Sequence, residues 1–320
     1  MKKATKISLI IAALLVLAGA TLFVCVMSAN HWDFAAIANA KLRTETITIT
    51  EGFENISVRS DTVDVEFLPS DDGTCKVVFR DHQKERNTAA VKDGTLTVGT
   101  NDGRAWYEKI TILFGGGKIT VYLPQKEYAS LQIEEHMGDV MIPGDFAFES
   151  IDIKTDTGDV TCSASCNGPV RIKTHTGDIR LENASAESLD LSVTTGDVRI
   201  RSFACEKEIR MSANTGDAVL SDVTCGSLIS TGDTGDVTMK NVIAEGLISI
   251  ERDTGDVRFE TCDAAEIEIE TDTGDVTGSL RSGKIFFVKT DTGDVSVPET
   301  TSGGRCRIST DTGDIRITVE

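Results

Sequence analysis

Residues Thr155–Val160 read TDTGDV. The same six letters return at Thr271–Val276 and Thr290–Val295, and TDTGDI follows at Thr310–Ile315. Looser copies stand between them, among them THTGDI at Thr174–Ile179 and RDTGDV at Arg252–Val257. The glycine of each copy falls at Gly138, Gly158, Gly177, Gly196, Gly216, Gly235, Gly255, Gly274, Gly293 and Gly313, always 19 or 20 residues from the last. A fixed period of this length marks stacked structural repeats.

Apolar residues keep constant offsets from that glycine. Two and four positions after it stand Val160 and Cys162, Ile179 and Leu181, Val198 and Ile200. Seven and five positions before it stand Ile151 and Ile153, Val170 and Ile172, Leu189 and Leu191. A spacing of two is strand alternation with one face inward, whereas a helix needs spacings of three and four. Each period is therefore two short strands joined by turns. One such unit cannot bury its own apolar face, but stacked units share an interior. The sequence predicts an all-β fold, a parallel β-solenoid (β-helix-like) of about ten coils over residues 136–320. Ser230 and Gly278 interrupt the apolar columns and predict local thinning of the core.

Upstream, residues 45–135 alternate like strands without keeping the period and read as an irregular β cap or head. Residues 28–44 form a juxtamembrane linker, and Ile7–Met27 is an uninterrupted apolar run. At 1.5 Å per residue that run reaches about 30 Å, the thickness of a hydrocarbon core. Lys2, Lys3 and Lys6 precede it in a stub of residues 1–6, which predicts a single-pass cell-membrane protein with a cytoplasmic N-terminus and an extracytoplasmic repeat domain. A cleaved signal peptide is the rival reading. The run is longer than its usual apolar segment, and the Ala-x-Ala at Ala38–Ala40 lies far beyond it.

The net charge of −19 excludes a nucleic-acid partner, which requires clustered Lys and Arg. The repeated letters themselves read as corner chemistry. Gly tolerates a sharp turn, the Asp after it can accept backbone N–H groups, and Thr suits an extended position. Register stacking would align one Asp per coil, and neighbouring charges would repel by about 0.9 kcal/mol in water. Backbone N–H donors, alternating side-chain orientations, raised pKa values or bound cations must offset this. The candidate Ca2+ ligands are Asp159, Asp236, Asp256, Asp275, Asp294 and Asp314, with Asp156, Asp233, Asp253, Asp272, Asp291 and Asp311 in a second column. Known calcium-loaded repeats are about nine residues long and glycine-richer, which favours backbone donors. The sequence implies no other cofactor.

Nothing points to an enzyme. His31, His82, His136 and His175 are scattered, the carboxylates are periodic rather than a unique pair, and FGGGK at Phe114–Lys118 lacks the spacing of a phosphate loop. Cys205 and Cys225 both sit nine residues after a glycine on successive coils. In-register stacking would bring their Cα atoms within disulfide range. Ala186, Ala244 and Ala264 share that offset, which favours a column requiring small residues over a disulfide.

WDF at Trp32–Phe34, strands such as FENISV and KITVYLP, and iterated TGDV to the end together resemble the bacterial putative-adhesin family, a domain of unknown function built from β-strand repeats. The resemblance covers nearly everything after Asn30 and implies a membrane-anchored solenoid on the outer face of a bacterial membrane. Two classes of function stay open. One is a surface module adhering to a protein, a glycan or a cell-wall polymer. The other is an envelope-associated structural or stress-sensing accessory acting through membrane partners. An adhesin should display an exposed aromatic patch, for which Phe203, Phe286 and Phe287 are the candidates.

Overall fold

The computed structural model describes residues 3–29, 42–82, 85–102 and 117–320. Trp32 and the rest of the WDF stretch lie outside the described residues. Ten coils, nine with a Thr-Gly-Asp corner and the first with Met-Gly-Asp at Met137–Asp139, wind into one parallel β-solenoid. In each, one strand ends at the residue before the glycine and the next begins two residues after it, as in Ile151–Thr157 and Val160–Cys162. Neighbouring coils stay in register: Ile151 pairs with Leu131 and Val170, and Val160 with Val140 and Ile179. The predicted inward columns are buried. Each buried Val, Leu or Ile contributes about 1.5–3 kcal/mol, but only when coils above and below cover it.

The far side of the coil is more elaborate than a second turn. Glu127–Tyr128, Ala147–Phe148 and Ser165–Cys166 form a short parallel third side. In later coils the corner leading to it takes left-handed backbone at Asn183, Ser202, Asp222, Asn241 and Thr261, with φ between 50 and 56°. Asn and Asp reach that region more readily than other side chains.

The core does not thin at Ser230 and Gly278. The ring of Phe259, from the preceding coil, lies over Gly278 so closely that a Cβ there would fall 2.5 Å from it. Ser230 instead receives Arg252, whose Nη2 donates to the serine Oγ at 2.8 Å. The missing volume at each position is supplied by a larger residue of a neighbouring coil. Close packing requires such compensation.

The parallel ladder also begins earlier than the sequence period. Asn55–Ser60 and Val63–Pro69 pair with Ser130–Met137 and Val140–Ile142, and so form a coil of the same solenoid. Its corner, SDTVDV at Ser60–Val65, is a repeat with Val63 in the glycine position. Outside it stand Thr95–Asp102 and Gly117–Leu123. Antiparallel strands then close this end: Glu85–Lys92 on one sheet, and Cys75–His82 followed by Leu42–Ile49 on the other.

At the opposite end the coils leave chain order. Gly304–Thr312 pairs with Glu266–Thr273 on one side and with Lys284–Thr292 on the other. The Gly313 coil, which follows the Gly293 coil in sequence, is thus inserted between the Gly274 and Gly293 coils. Among the described residues, nothing pairs with the outer edge of the Gly293 coil.

The N-terminal apolar run is helical over Lys3–Ala29. Among the described residues no helix is long and apolar enough to cross a membrane.

Candidate functional site

The Thr-Gly-Asp corner satisfies its own polar groups. Each repeat glycine has φ between 136 and 157°. A Cβ at Gly158, Gly177 or Gly196 would fall 2.0–2.2 Å from the carbonyl oxygen of the preceding glycine. Only glycine meets both conditions. The Thr three residues before it turns inward, where Thr310 Oγ1 donates to the Gly274 carbonyl at 3.2 Å and Thr290 Oγ1 to that of Gly313 at 3.0 Å.

The Asp after the glycine forms a continuous ladder. Oδ1 of each accepts the backbone N–H of the Asp on the adjoining coil, at 2.9 Å for Asp178 on Asp159 and for Asp275 on Asp256. The ladder starts at Asp64, which accepts from Asp139 N, and ends with Asp294 N donating to Asp314. Arginines three residues after the glycine bridge successive rungs. Arg180 spans Asp159 and Asp178 at 2.9 and 2.6 Å, Arg199 spans Asp178 and Asp197, and Arg258 spans Asp236 and Asp256. Partial burial pushes the Asp159 carboxyl up, but the Asp178 N–H and the Arg180 guanidinium outweigh it and hold it below its ordinary value. The expected repulsion is thus met by backbone donors and guanidinium groups.

The structure brings Asp159, Asp236, Asp256, Asp275, Asp294 and Asp314 into this one column. Asp156, Asp233, Asp253, Asp272, Asp291 and Asp311 are exposed on the strand before the corner. Asp156 faces His175 at 3.4 Å and Asp291 faces Lys289 at 2.8 Å. Among the described residues no three acidic, His or Cys side chains converge as a metal site. In the ladder Oδ1 is given to a backbone N–H and, at Asp159, Asp236, Asp256 and Asp314, Oδ2 meets a guanidinium, which leaves those four short of the six to eight free oxygens that Ca2+ takes. Cys205 and Cys225 are register partners, and both are buried free thiols. Burial pushes the Cys225 thiol up to about 12.

Sequence reading passed over the residues that break the inward Thr column. Ser60, Glu135 and Thr155 are successive register partners in it. All three are buried, and Ser60 Oγ, Glu135 Oε2 and Thr155 Oγ1 have no hydrogen-bond partner among the described residues. Burial pushes the Glu135 carboxyl up to about 8, against the backbone N–H of Met137, which donates to Oε1. Further along the same column Arg252 is buried and faces no carboxylate among the described residues; desolvation lowers its guanidinium to about 10. The side chain it meets there is Ser230. The available signal was the substitution of Glu and Arg in a position that otherwise favours Thr.

The open outermost coil, that of Gly293, carries the exposed aromatic. Phe203 is buried and Phe286 half-buried, whereas Phe287 is 55% exposed. A groove of about 460 Å³ beside it is lined by Glu268, Glu270, Lys289 and Arg307. These side chains come from three stacked coils, with Phe287 and Glu268 both flanking Arg307 in register.

A family model described as Toastrack DUF4097 matches residues 53–217 and 206–320. The chain belongs to the Toastrack DUF4097 family. The first match begins at Phe53, just before the cryptic SDTVDV coil rather than at the first regular glycine. Similar solved structures include a putative adhesin from Bacteroides fragilis NCTC 9343, at 14% identity over 87% of this chain and 97% of that one, with a TM-score of 0.43. A putative lipid binding protein from Parabacteroides distasonis ATCC 8503 shares 14% identity over 75% and 95%, TM-score 0.46. A putative adhesin from Parabacteroides merdae ATCC 43184 shares 12% over 88% and 97%, TM-score 0.42. No curated protein matches the chain.

Proposed function

We propose that this Toastrack protein is a non-enzymatic surface-interaction module, held to the outer face of a membrane by its N-terminal helix and binding through its far end. The observation that carries the reading is the groove beside Phe287. It combines an exposed aromatic ring with two carboxylates and two cations. Such a mixture suits a polar ring-bearing ligand, a glycan or cell-wall polymer, which stacks its apolar face on an aromatic while its hydroxyls meet charged groups. Among the described residues the rest of the rod offers no comparable exposed ring.

No described helix reaches the length and apolarity of a crossing span, so anchoring is argued from the uncharged, mostly apolar run Ile7–Met27 and its basic flank. Leu14–Leu17 and Leu22–Val24 are exposed on the helix. The strand Leu42–Ile49 lies at the capped end of the ladder, opposite the end that carries the groove.

The test is retention of cell-wall polymer on immobilised full-length protein, comparing wild type with Phe287→Ala. A loss of binding of tenfold or more supports the groove, and equal retention rejects it. A second arm replaces residues 1–27 with an unrelated membrane anchor. Surface binding should survive that exchange. Its loss would point instead to an accessory working through membrane partners of the helix.

A further inference from the structure

The two ends of the solenoid are finished differently. Antiparallel strands cover both sheets at the N-terminal end. At the other end the Gly293 coil is outermost, and its core is open. Phe286 and Val288 are half-buried and Val295 is 46% exposed. Their equivalents on the adjoining coil, Cys306, Ile308 and Ile315, are fully buried. The edge is therefore a row of unpaired backbone groups above an exposed slice of apolar core, a surface that readily pairs with another strand.

We infer that this end is the self-association face of the protein: two copies meet end to end, each Lys284–Thr292 strand pairing antiparallel with its counterpart about a two-fold axis through Val288. Three observations select a second copy as the occupant. The surface that matches an open coil is another open coil: about an axis through Val288 the half-buried Phe286, Val288 and Thr290 of one copy meet Thr290, Val288 and Phe286 of the other, so core faces core. The ladder also accepts a coil that does not follow in sequence, as the inserted Gly313 coil shows. Finally, the closed end is finished by antiparallel pairing, which is the geometry a two-fold axis would impose here.

The register of greatest overlap places Val288 opposite itself and Phe287 of each copy opposite Lys289 of the other, a cation–π contact made twice. Phe286 falls opposite Thr290 and Ile285 opposite Asp291, so no like charges face each other. An axis normal to this sheet also carries the open Val295 side of one copy towards that of the other, joining the two cores into one. Phe287 and Lys289 also line the groove, so a dimer and a groove ligand would share those two side chains; the pairing itself is carried by the backbone edge and the Val295 side, and it does not depend on membrane anchoring.

The experiment uses full-length protein in detergent with Cys25→Ser, which removes the exposed native thiol. Sedimentation should show a reversible dimer, and Val295→Asp should weaken it at least tenfold. Val288→Cys should give a disulfide-linked dimer under mild oxidation, because directly opposed residues of an antiparallel pair have Cα atoms about 4.5–5.5 Å apart. Lys240→Cys, on the side of the rod, should not. A wild type that stays monomeric up to about 100 μM, well above the Kd of an ordinary specific contact, overturns the inference. So does cross-linking at Lys240→Cys as fast as at Val288→Cys. The Val288→Cys arm decides the matter even if Val295→Asp fails to fold.

Discussion

Replacing Glu135 with Gln should stabilise the protein in neutral and alkaline solution and leave it almost unchanged in acid. Glu135 is buried, its Oε2 has no partner among the described residues, and burial pushes its carboxyl from an ordinary value near 4.5 to about 8. Between those two values the folded chain holds a proton that the unfolded chain has lost. Stability therefore falls as pH rises through this window and levels off above it. At about 1.4 kcal/mol for each pH unit between the two values, the full drop is on the order of 4–5 kcal/mol. For a domain of this size that corresponds to roughly 10 °C in melting temperature. Gln carries no charge to desolvate, and its amide offers donors to the unpaired hydroxyl oxygens of Ser60 and Thr155 on the neighbouring coils. The carboxylates held below their ordinary value, Asp159 and Asp263, act in a different window. Their contribution is complete above about pH 4 and is lost only as pH falls further. The assay is a thermal melt of wild type and Glu135→Gln followed by circular dichroism near pH 5, 7 and 9. Curves that stay parallel across that range, or a Gln variant that is the less stable near pH 9, would show that the carboxylate is ionised and partnered.

Further outcomes follow from the same geometry. Arg252→Thr alone should destabilise, because it opens a hole over Ser230; adding Ser230→Ile should recover most of the loss, with a coupling of about 1–3 kcal/mol in denaturant melts. Effects that merely add would show that the two residues are not a packed unit. Gly196→Ala should cost more than about 3 kcal/mol, since strained backbone and a blocked Cβ coincide there. Gly94→Asn, at φ 73° in open space, should cost less than about 1 kcal/mol. Calcium titrated at constant ionic strength should give no saturable rise in melting temperature beyond that of a matched sodium control, and a saturable rise would make the Asp column an ion site. Cys205 and Cys225 should resist alkylation in the folded protein and react on unfolding, because burial withholds their thiolates; rapid native labelling would contradict that placement.

What was legible in the sequence was the content of each coil, and what was not was the neighbour of each coil. Offsets from the glycine say which side chains turn inward, and the ladder of Asp139 to Asp314 follows from them directly. They cannot say that the Gly313 coil lies beneath the Gly293 coil, because Cys306, Ile308, Ile315 and Ile317 occupy the same columns as Phe286, Val288, Val295 and Val297. Either set would pack in either place by column alone. The choice rests on details that carry no period. Gly303, at φ 122°, passes against the Gly283 carbonyl where a Cβ would fall 1.9 Å from the oxygen, and Glu320 Oε1 accepts from Ser279 Oγ beneath the inserted coil. The first coil was hidden for a related reason. Val63 fills the glycine position without left-handed backbone, and its register partner across the sheet is Gly117, so the small residue the corner needs has moved to another strand. Glu135 and Arg252 escaped notice because a loose copy of a repeat looks like drift. In a buried column, though, a charged residue cannot drift without a structural cost. The same logic makes the Gly293 coil the informative end of the rod: its residues obey the inward pattern, yet nothing in the described chain lies above them.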